Sequence, residues 1–238
     1  MRVWLARPVG HIIAGVGVLL AVALAAVGIY IYGPGPTGGA TTTGGGGATT
    51  AAPTLAPTTS GKLFTLDAAA SQASFTMHEV LLGQPKTVVG TTSGVSGQIL
   101  VDQTTPSKSK VGEIRVDLTG LATDSDMRNR TIQNRILETS DPANQYAVFA
   151  AQSISGLPGS IAVGQKVSFN LAGNLTIHQV TRPVTFAVTA TLTSATQLTG
   201  QAQATVRYSD FNIAIPNVPS VTGVSDTTAL ALNFTANA

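Results

Sequence analysis

Cysteine is missing from all 238 residues, so the chain folds without disulfides and has no thiolate for nucleophilic attack or for a zinc site. Charge is scarce too, at 10% Asp, Glu, Lys and Arg, and aromatic residues make up only 5%. Three histidines leave little material for imidazole chemistry. From Lys62 onward 11 Lys and Arg balance 11 Asp and Glu, and the formal net charge of +2 comes from Arg2 and Arg7 alone. The body of the chain therefore carries no basic excess, which argues against nucleic acid as a partner. Neither a Gly-x-Ser-x-Gly elbow nor a phosphate-binding loop occurs. Ser107-Lys-Ser-Lys110 matches Ser-x-x-Lys in form, but it follows Pro106 in a polar linker and lacks companion motifs. Asp124-Ser-Asp126 opens like a calcium loop, yet Met127 and Arg128 break the run of oxygen ligands. These residues expect no catalytic group, no metal and no cofactor, and the chain is not read as an enzyme.

What is present begins with an uncharged run. Residues 12–32 contain no Asp, Glu, Lys or Arg, and as a helix they would span about 30 Å, the thickness of a bilayer core. Arg2 and Arg7 precede the run, and no charge follows until Lys62. The positive-inside rule then predicts a cytoplasmic N-terminus (1–11), a membrane anchor (12–32) and an extracytoplasmic remainder. A cleaved signal peptide is the competing reading, because Ala21-Val-Ala23 and Ala23-Leu-Ala25 are small-x-small patterns. Residues 33–61 are Gly, Pro, Thr, Ala and Ser with a single Leu, a composition predicted to form a flexible tether. Its Thr and Pro content also fits a glycosylated stalk.

From 62 to 238 the dominant signal is alternation with a period of two. Strands are predicted near 72–81, 87–102 with breaks at Gly90, Gly94 and Gly97, 112–121, 146–154, 165–177, 183–192, 200–208 and 227–235. Eight strands, each with one apolar face, suggest an antiparallel sheet closed into a barrel, which leaves no exposed edge. Arg182-Pro183 is expected to open its strand, since proline lacks an N–H and holds its predecessor extended. Residues 124–138 form the one expected helix, capped by Asp124 or Ser125, with Met127, Ile132, Ile136 and Leu137 scattered around the wheel. On such a helix Arg128 and Arg135 fall within about 20° of each other. Together they suit an anionic head group, while a solvated face is the plainer alternative. Phe75, Phe149, Phe169, Phe186, Val188, Val206 and Phe234 lie on apolar faces that suit either a packed core or a lipid channel.

Leu175-Thr-Ile-His-Gln-Val-Thr-Arg-Pro-Val184, followed by Tyr208-Ser-Asp-Phe-Asn-Ile213, resembles the paired signatures of the YceI-like lipid or polyisoprenoid-binding proteins. Phe64-Thr-Leu-Asp67, Phe75-Thr-Met-His78, Gly94-Val-Ser-Gly-Gln-Ile-Leu-Val-Asp102 and Asp126-Met-Arg-Asn-Arg130 fall in the same order, so the likeness covers about residues 62 to 238. It implies a lipocalin-like barrel enclosing an isoprenoid or related lipid, lined by the seven residues just named, with the head group near the open end. His178 matches the motif histidine and is expected to brace the strand connection. Gln179 stands where glycine is usual, and Thr131-Ile132 and Ile136-Leu137 also depart from the pattern. The implied role is a membrane-tethered store or shuttle on the outer side of a bacterial cell envelope, in the periplasm or its equivalent. A stalked module with a filled barrel that binds a protein partner is the alternative. The segment 215–223 is expected to be a long hairpin loop near the mouth, and nothing in the sequence sets an oligomeric state.

Overall fold

The computed structural model of the protein describes residues 54–238. The predicted cytoplasmic N-terminus (1–11), the anchor (12–32) with its alternative signal cleavage, and most of the tether (33–61) lie outside the described residues. Among the described residues no helix is long and apolar enough to cross a membrane.

The period-two alternation does produce strands. In chain order they are β1 (Gly61–Leu66), β2 (Gln72–Leu81), β3 (Gln84–Thr92), β4 (Val95–Ser96), β5 (Gln98–Asp102), β6 (Lys110–Val111), β7 (Glu113–Asp117), β8 (Tyr146–Ser155), β9 (Lys166–Ile177), β10 (Val180–Ser194), β11 (Gln197–Arg207), β12 (Val221–Thr222) and β13 (Thr227–Asn237). They pair antiparallel in one sheet, ordered β4-β7-β8-β9-β10-β11-β13-β1-β5-β6, with β2 joined to β13, β3 and β12. This sheet curls into a half-barrel. β13 joins three strands, β11, β1 and β2, and so ties the two halves of the sheet together. The bent segment 84–102 touches both ends of the curl: β3 pairs β2, and β4 pairs β7.

Thirteen strands stand where the alternation predicts eight, and the difference has local causes. The run expected over 87–102 breaks into β3, β4 and β5 at the glycines 94 and 97. Three strands have no counterpart in the sequence reading: β1, β6 and β12. Two of them are only two residues long, too short to show a period. β1 begins at Gly61 and buries Phe64 and Leu66, so the motif expected before the first strand is itself a strand. β12 runs through the segment expected as a plain hairpin loop and pairs with Leu81 and Val80.

The β9–β10 hairpin also corrects an expectation. Pro183 is the fourth residue of β10, not the first, because Ile177 pairs directly with Val180 and leaves only His178 and Gln179 in the turn. Both turn residues have positive φ, 49° and 61°, the requirement of the two-residue turn that matches strand twist. Pro183 is tolerated there because β10 is paired only with β9 at that point; β11 joins at Ala187.

Inside the curl, Val184, Phe186, Val188, Ala190 and Leu192 of β10 alternate with outward Thr and Ala. They join Phe64, Phe149, Leu171, Phe211 and Phe234 in one apolar cluster. Three phenylalanines occupy space that a glycine vacates on the neighbouring strand. A Cβ on Gly90 would lie 2.1 Å from the Phe75 ring, and one on Gly173 or Gly200 would lie 2.6 Å from Phe149 or Phe234. Phe75 faces Gly90 and Phe234 faces Gly200 directly across their ladders.

A second fixture ties the loop after β5. Asp102 is 1% exposed, and its carboxylate accepts hydrogen bonds from the Ser60 hydroxyl at 2.6 Å, the Thr105 N–H at 2.8 Å, and the Thr104 hydroxyl and N–H at 2.9 and 3.1 Å. The Ser60 hydroxyl first, then the Thr105 N–H, hold its pKa down at about 2, from an ordinary 3.8. Ser60 and Leu55, placed in the tether by composition, are thus fastened to the sheet, since the Leu55 N–H donates to Gln98 Oε1 at 3.1 Å.

Two outcomes are expected. Gly90→Ala or Gly200→Ala should lower stability by about 1–3 kcal/mol through overpacking against a ring, whereas Gly159→Ala, with nothing within 4 Å of its Cβ position, should stay within about 0.5 kcal/mol; urea unfolding reads both. Because the folded pKa of Asp102 is depressed, its carboxylate stabilises the fold above pH 3.8 and stops doing so as pH falls toward about 2. The gap in melting temperature between the wild type and Asp102→Asn should therefore be constant at neutral pH and shrink across that window.

Candidate functional site

The inner face of the curl does not close on itself. A cavity of about 250 Å³ lies between β2, β7, β8, β9, β10, β11 and β13 on the sheet side and residues 132–137 and 211–215 on the other. A second, of about 100 Å³, lies beside β1, β5 and β6. The larger one exceeds the roughly 150 Å³ of an engineered apolar cavity that stays dry and takes up benzene. Its lining is apolar save for Ser74, Thr92, Tyr208 and Thr228. Such a space favours a hydrocarbon guest over water, because water needs two to four polar partners.

All seven side chains assigned to the barrel interior line one of these two chambers. Phe75, Phe149, Phe186 and Val206 face the larger, and Phe169, Val188 and Phe234 the smaller. Phe149 and Phe186 meet edge to face at 5.0 Å and 79°, a geometry that fixes both rings against the chamber wall.

Sequence reasoning did not single out the other side of the larger chamber. The helix is α only over α1 (Asp126–Thr131), after which Ile132–Ile136 forms a π turn closed by the Leu137 N–H donating to the Ile132 carbonyl at 2.8 Å. A π turn stacks residues five apart. Ile132, Ile136 and Leu137, scattered on an α-helical wheel, therefore line the same chamber. Phe211, Ile213 and Ile215 cover it from the segment after β11. A clue was in the sequence, in the apolar residues of 132–137 that fit no α-helical stripe.

The π turn also removes the geometry that put Arg128 and Arg135 on one face, since the helical period changes between them. Arg128 has other work. Its guanidinium pairs with Glu79 of β2 at 3.0 Å and with Asp124, which in turn pairs with Lys86 of β3 at 2.7 Å. Lys86, first by its hydrogen bond, holds the Asp124 carboxyl below its usual value. Arg128 thus fastens the helix to the β2–β3 hairpin, and only 19% of its side chain is exposed. Arg135 is exposed. Ser125, one of the two residues proposed for the cap, accepts from the Arg128 N–H.

The histidines do not converge. His78 is exposed, with Nδ1 3.1 Å from the Thr87 hydroxyl. His178 sits in the β9–β10 turn, with Nε2 3.6 Å from Glu138 just past the π turn. Its neighbour Gln179 donates to the buried Asn144 at 3.0 Å, which holds the turn against the rest of the fold. Among the described residues no three His, Asp or Glu side chains gather as metal ligands would.

Comparison with known proteins bears on this geometry. Residues 64–236 match the family model for the YceI-like domain. Among solved structures, a polyisoprenoid binding domain from Saccharophagus degradans implicated in plant cell wall breakdown aligns with a TM-score of 0.58 and 18% identity, covering 74% of this chain and 98% of that one. BcnA of Burkholderia cenocepacia aligns with a TM-score of 0.57 and 20% identity, covering 72% and 99%. At such identities the likeness is one of fold. A search of curated proteins finds no match.

The different duties of the two arginines are open to test. Arg128→Ala should cost about 1–2 kcal/mol, between the values for exposed and buried ion pairs, while Arg135→Ala should stay within about 0.5 kcal/mol. Chemical denaturation of the two variants would check both.

Proposed function

The chain belongs to the YceI-like domain family, and from that premise we propose that it is a non-catalytic binding protein that holds an isoprenoid or related lipid tail inside its sheet. The observation that carries this reading is the apolar chamber of about 250 Å³ behind Phe75, Phe149, Phe186 and Val206. The polyisoprenoid-binding relative of the same fold supports the choice of ligand class. Taking the broken segments 61–81 and 84–102 as one ribbon each, with β7 to β11 and β13, gives eight ribbons. That number suits a lipocalin-like barrel whose interior holds either side chains or one slender guest. The two chambers weigh against the filled-barrel alternative.

Energetics favour exchange over irreversible capture. Each methylene moved from water into such a chamber is worth about 0.8 kcal/mol, so a long tail taken from water would approach the affinity ceiling of about 18–21 kcal/mol. Its source is a bilayer, itself apolar, and the transfer is then close to balanced. The uncharged run 12–32 and the Gly, Pro and Thr-rich stretch after it support a barrel tethered on the outer face of a bacterial membrane, where a leash raises the local concentration of lipid. Arg135, exposed beside the chamber wall, remains the one arginine of the proposed pair free to meet a head group; among the described residues no ion pair engages it.

Mild purification followed by native mass spectrometry should show a lipid mass on the protein. Val206→Trp, which fills the larger chamber, should reduce prenol binding at least about tenfold while the far-ultraviolet circular dichroism keeps its β signature. A protein that carries no lipid and binds no prenol would defeat the proposal.

A further inference from the structure

The two chambers are separate spaces with a shared wall. Only Ile114, Leu171, Ala202 and Leu232 line both. These four come from four different strands, β7, β9, β11 and β13, and Ala202 stands directly opposite Leu232 across the β11–β13 ladder. Ile114, Leu171 and Ala202 are buried, at 9%, 7% and 8% exposure, and Leu232 is less so. A wall made of strand side chains cannot swing aside as a loop does, because the backbone that carries it is held by ladder hydrogen bonds on both sides and close packing limits its side chains.

We infer that this four-residue partition sets the length of hydrocarbon tail the protein accepts. The inference rests on the lipid-holding reading above and adds a limit to it. A tail entering the larger chamber gains affinity with each carbon it buries until it meets the partition. Any further carbons fold back or stay outside, where they gain nothing. Removing part of the wall adds the smaller chamber, about 100 Å³, to the end of the larger one. Leu232 is the residue to cut back first, since it is the least buried of the four and its loss costs the fold least.

The test uses the full chain in detergent and a series of free prenols: farnesol, geranylgeraniol and a long polyprenol, with affinities measured by displacement of a fluorescent fatty acid, corrected for each prenol's partition into the detergent so that water is the reference, and masses checked by native mass spectrometry. In the wild type affinity should rise with length and then level off. Leu232→Ala should move that limit to a longer prenol, with a gain of about tenfold for the first prenol beyond the old limit. Leu171→Ala, cutting the same wall from β9, should do likewise. Leu157→Ala enlarges only the smaller chamber and should leave the limit where it was. An affinity that keeps climbing to the longest prenol in the wild type would overturn the inference, even if both wall variants failed to fold. So would an unchanged limit in folded Leu232→Ala and Leu171→Ala. Those results leave the lipid-holding reading standing, whereas absence of any prenol binding would remove that reading and the partition with it.

Discussion

Phe75, Phe149 and Phe234 each need room for a ring on a sheet that bends inward, and Gly90, Gly173 and Gly200 on neighbouring strands provide it. The curl depends on this exchange. A Cβ at those glycines would meet a ring at 2.1 to 2.6 Å, so the strands could not approach as they do and the phenylalanines would be forced toward the middle. With the rings laid along the wall, the middle stays open. The chambers are therefore a product of where the aromatic bulk is stored, and the edge-to-face contact of Phe149 and Phe186 holds it there.

Much of this was legible in one dimension. Alternation places β2, β8, β9, β11 and β13 within a few residues, since a strand with one wet and one apolar face must repeat every two. The seven interior side chains were readable for the same reason. β1 was hidden because Phe64 and Leu66 give only one full repeat next to a Gly and Ser-rich stretch. Residues 132–137 were misleading because a wheel drawn at the α period scatters side chains that a π turn brings into line. The ion pair of Arg128 was out of reach for a different reason: Glu79 lies 49 residues away, and no local pattern reports a partner at that distance. Likewise the shared wall between the chambers joins β7, β9, β11 and β13 across the curl, a relation that exists only after folding.

The polar fixtures keep to the periphery of the apolar interior. Asp102 gathers Ser60, Thr104 and Thr105 at the start of the loop after β5. Lys86, Asp124, Arg128 and Glu79 form a chain of charges that holds the helix over the larger chamber. Gln179 and Asn144 secure the hairpin whose turn carries His178. No buried side-chain nitrogen or oxygen among the described residues lacks a partner. Polarity here positions the walls and leaves the interior to hydrocarbon.

The central place of β13 has a consequence for how the molecule is made. Thr65 and Leu66 pair with Asn237 and Ala236, and β2 and β11 flank the same strand, so three earlier segments wait for β13. Until β13 is made, β1 and β2 have no neighbour on that side, and the nascent chain exposes unpaired ladders and an apolar inner face. Closure over so many residues carries a large loop entropy and a slow folding rate. A half-made sheet of this kind presents open edges and apolar surface to other chains, the exposure from which aggregation starts.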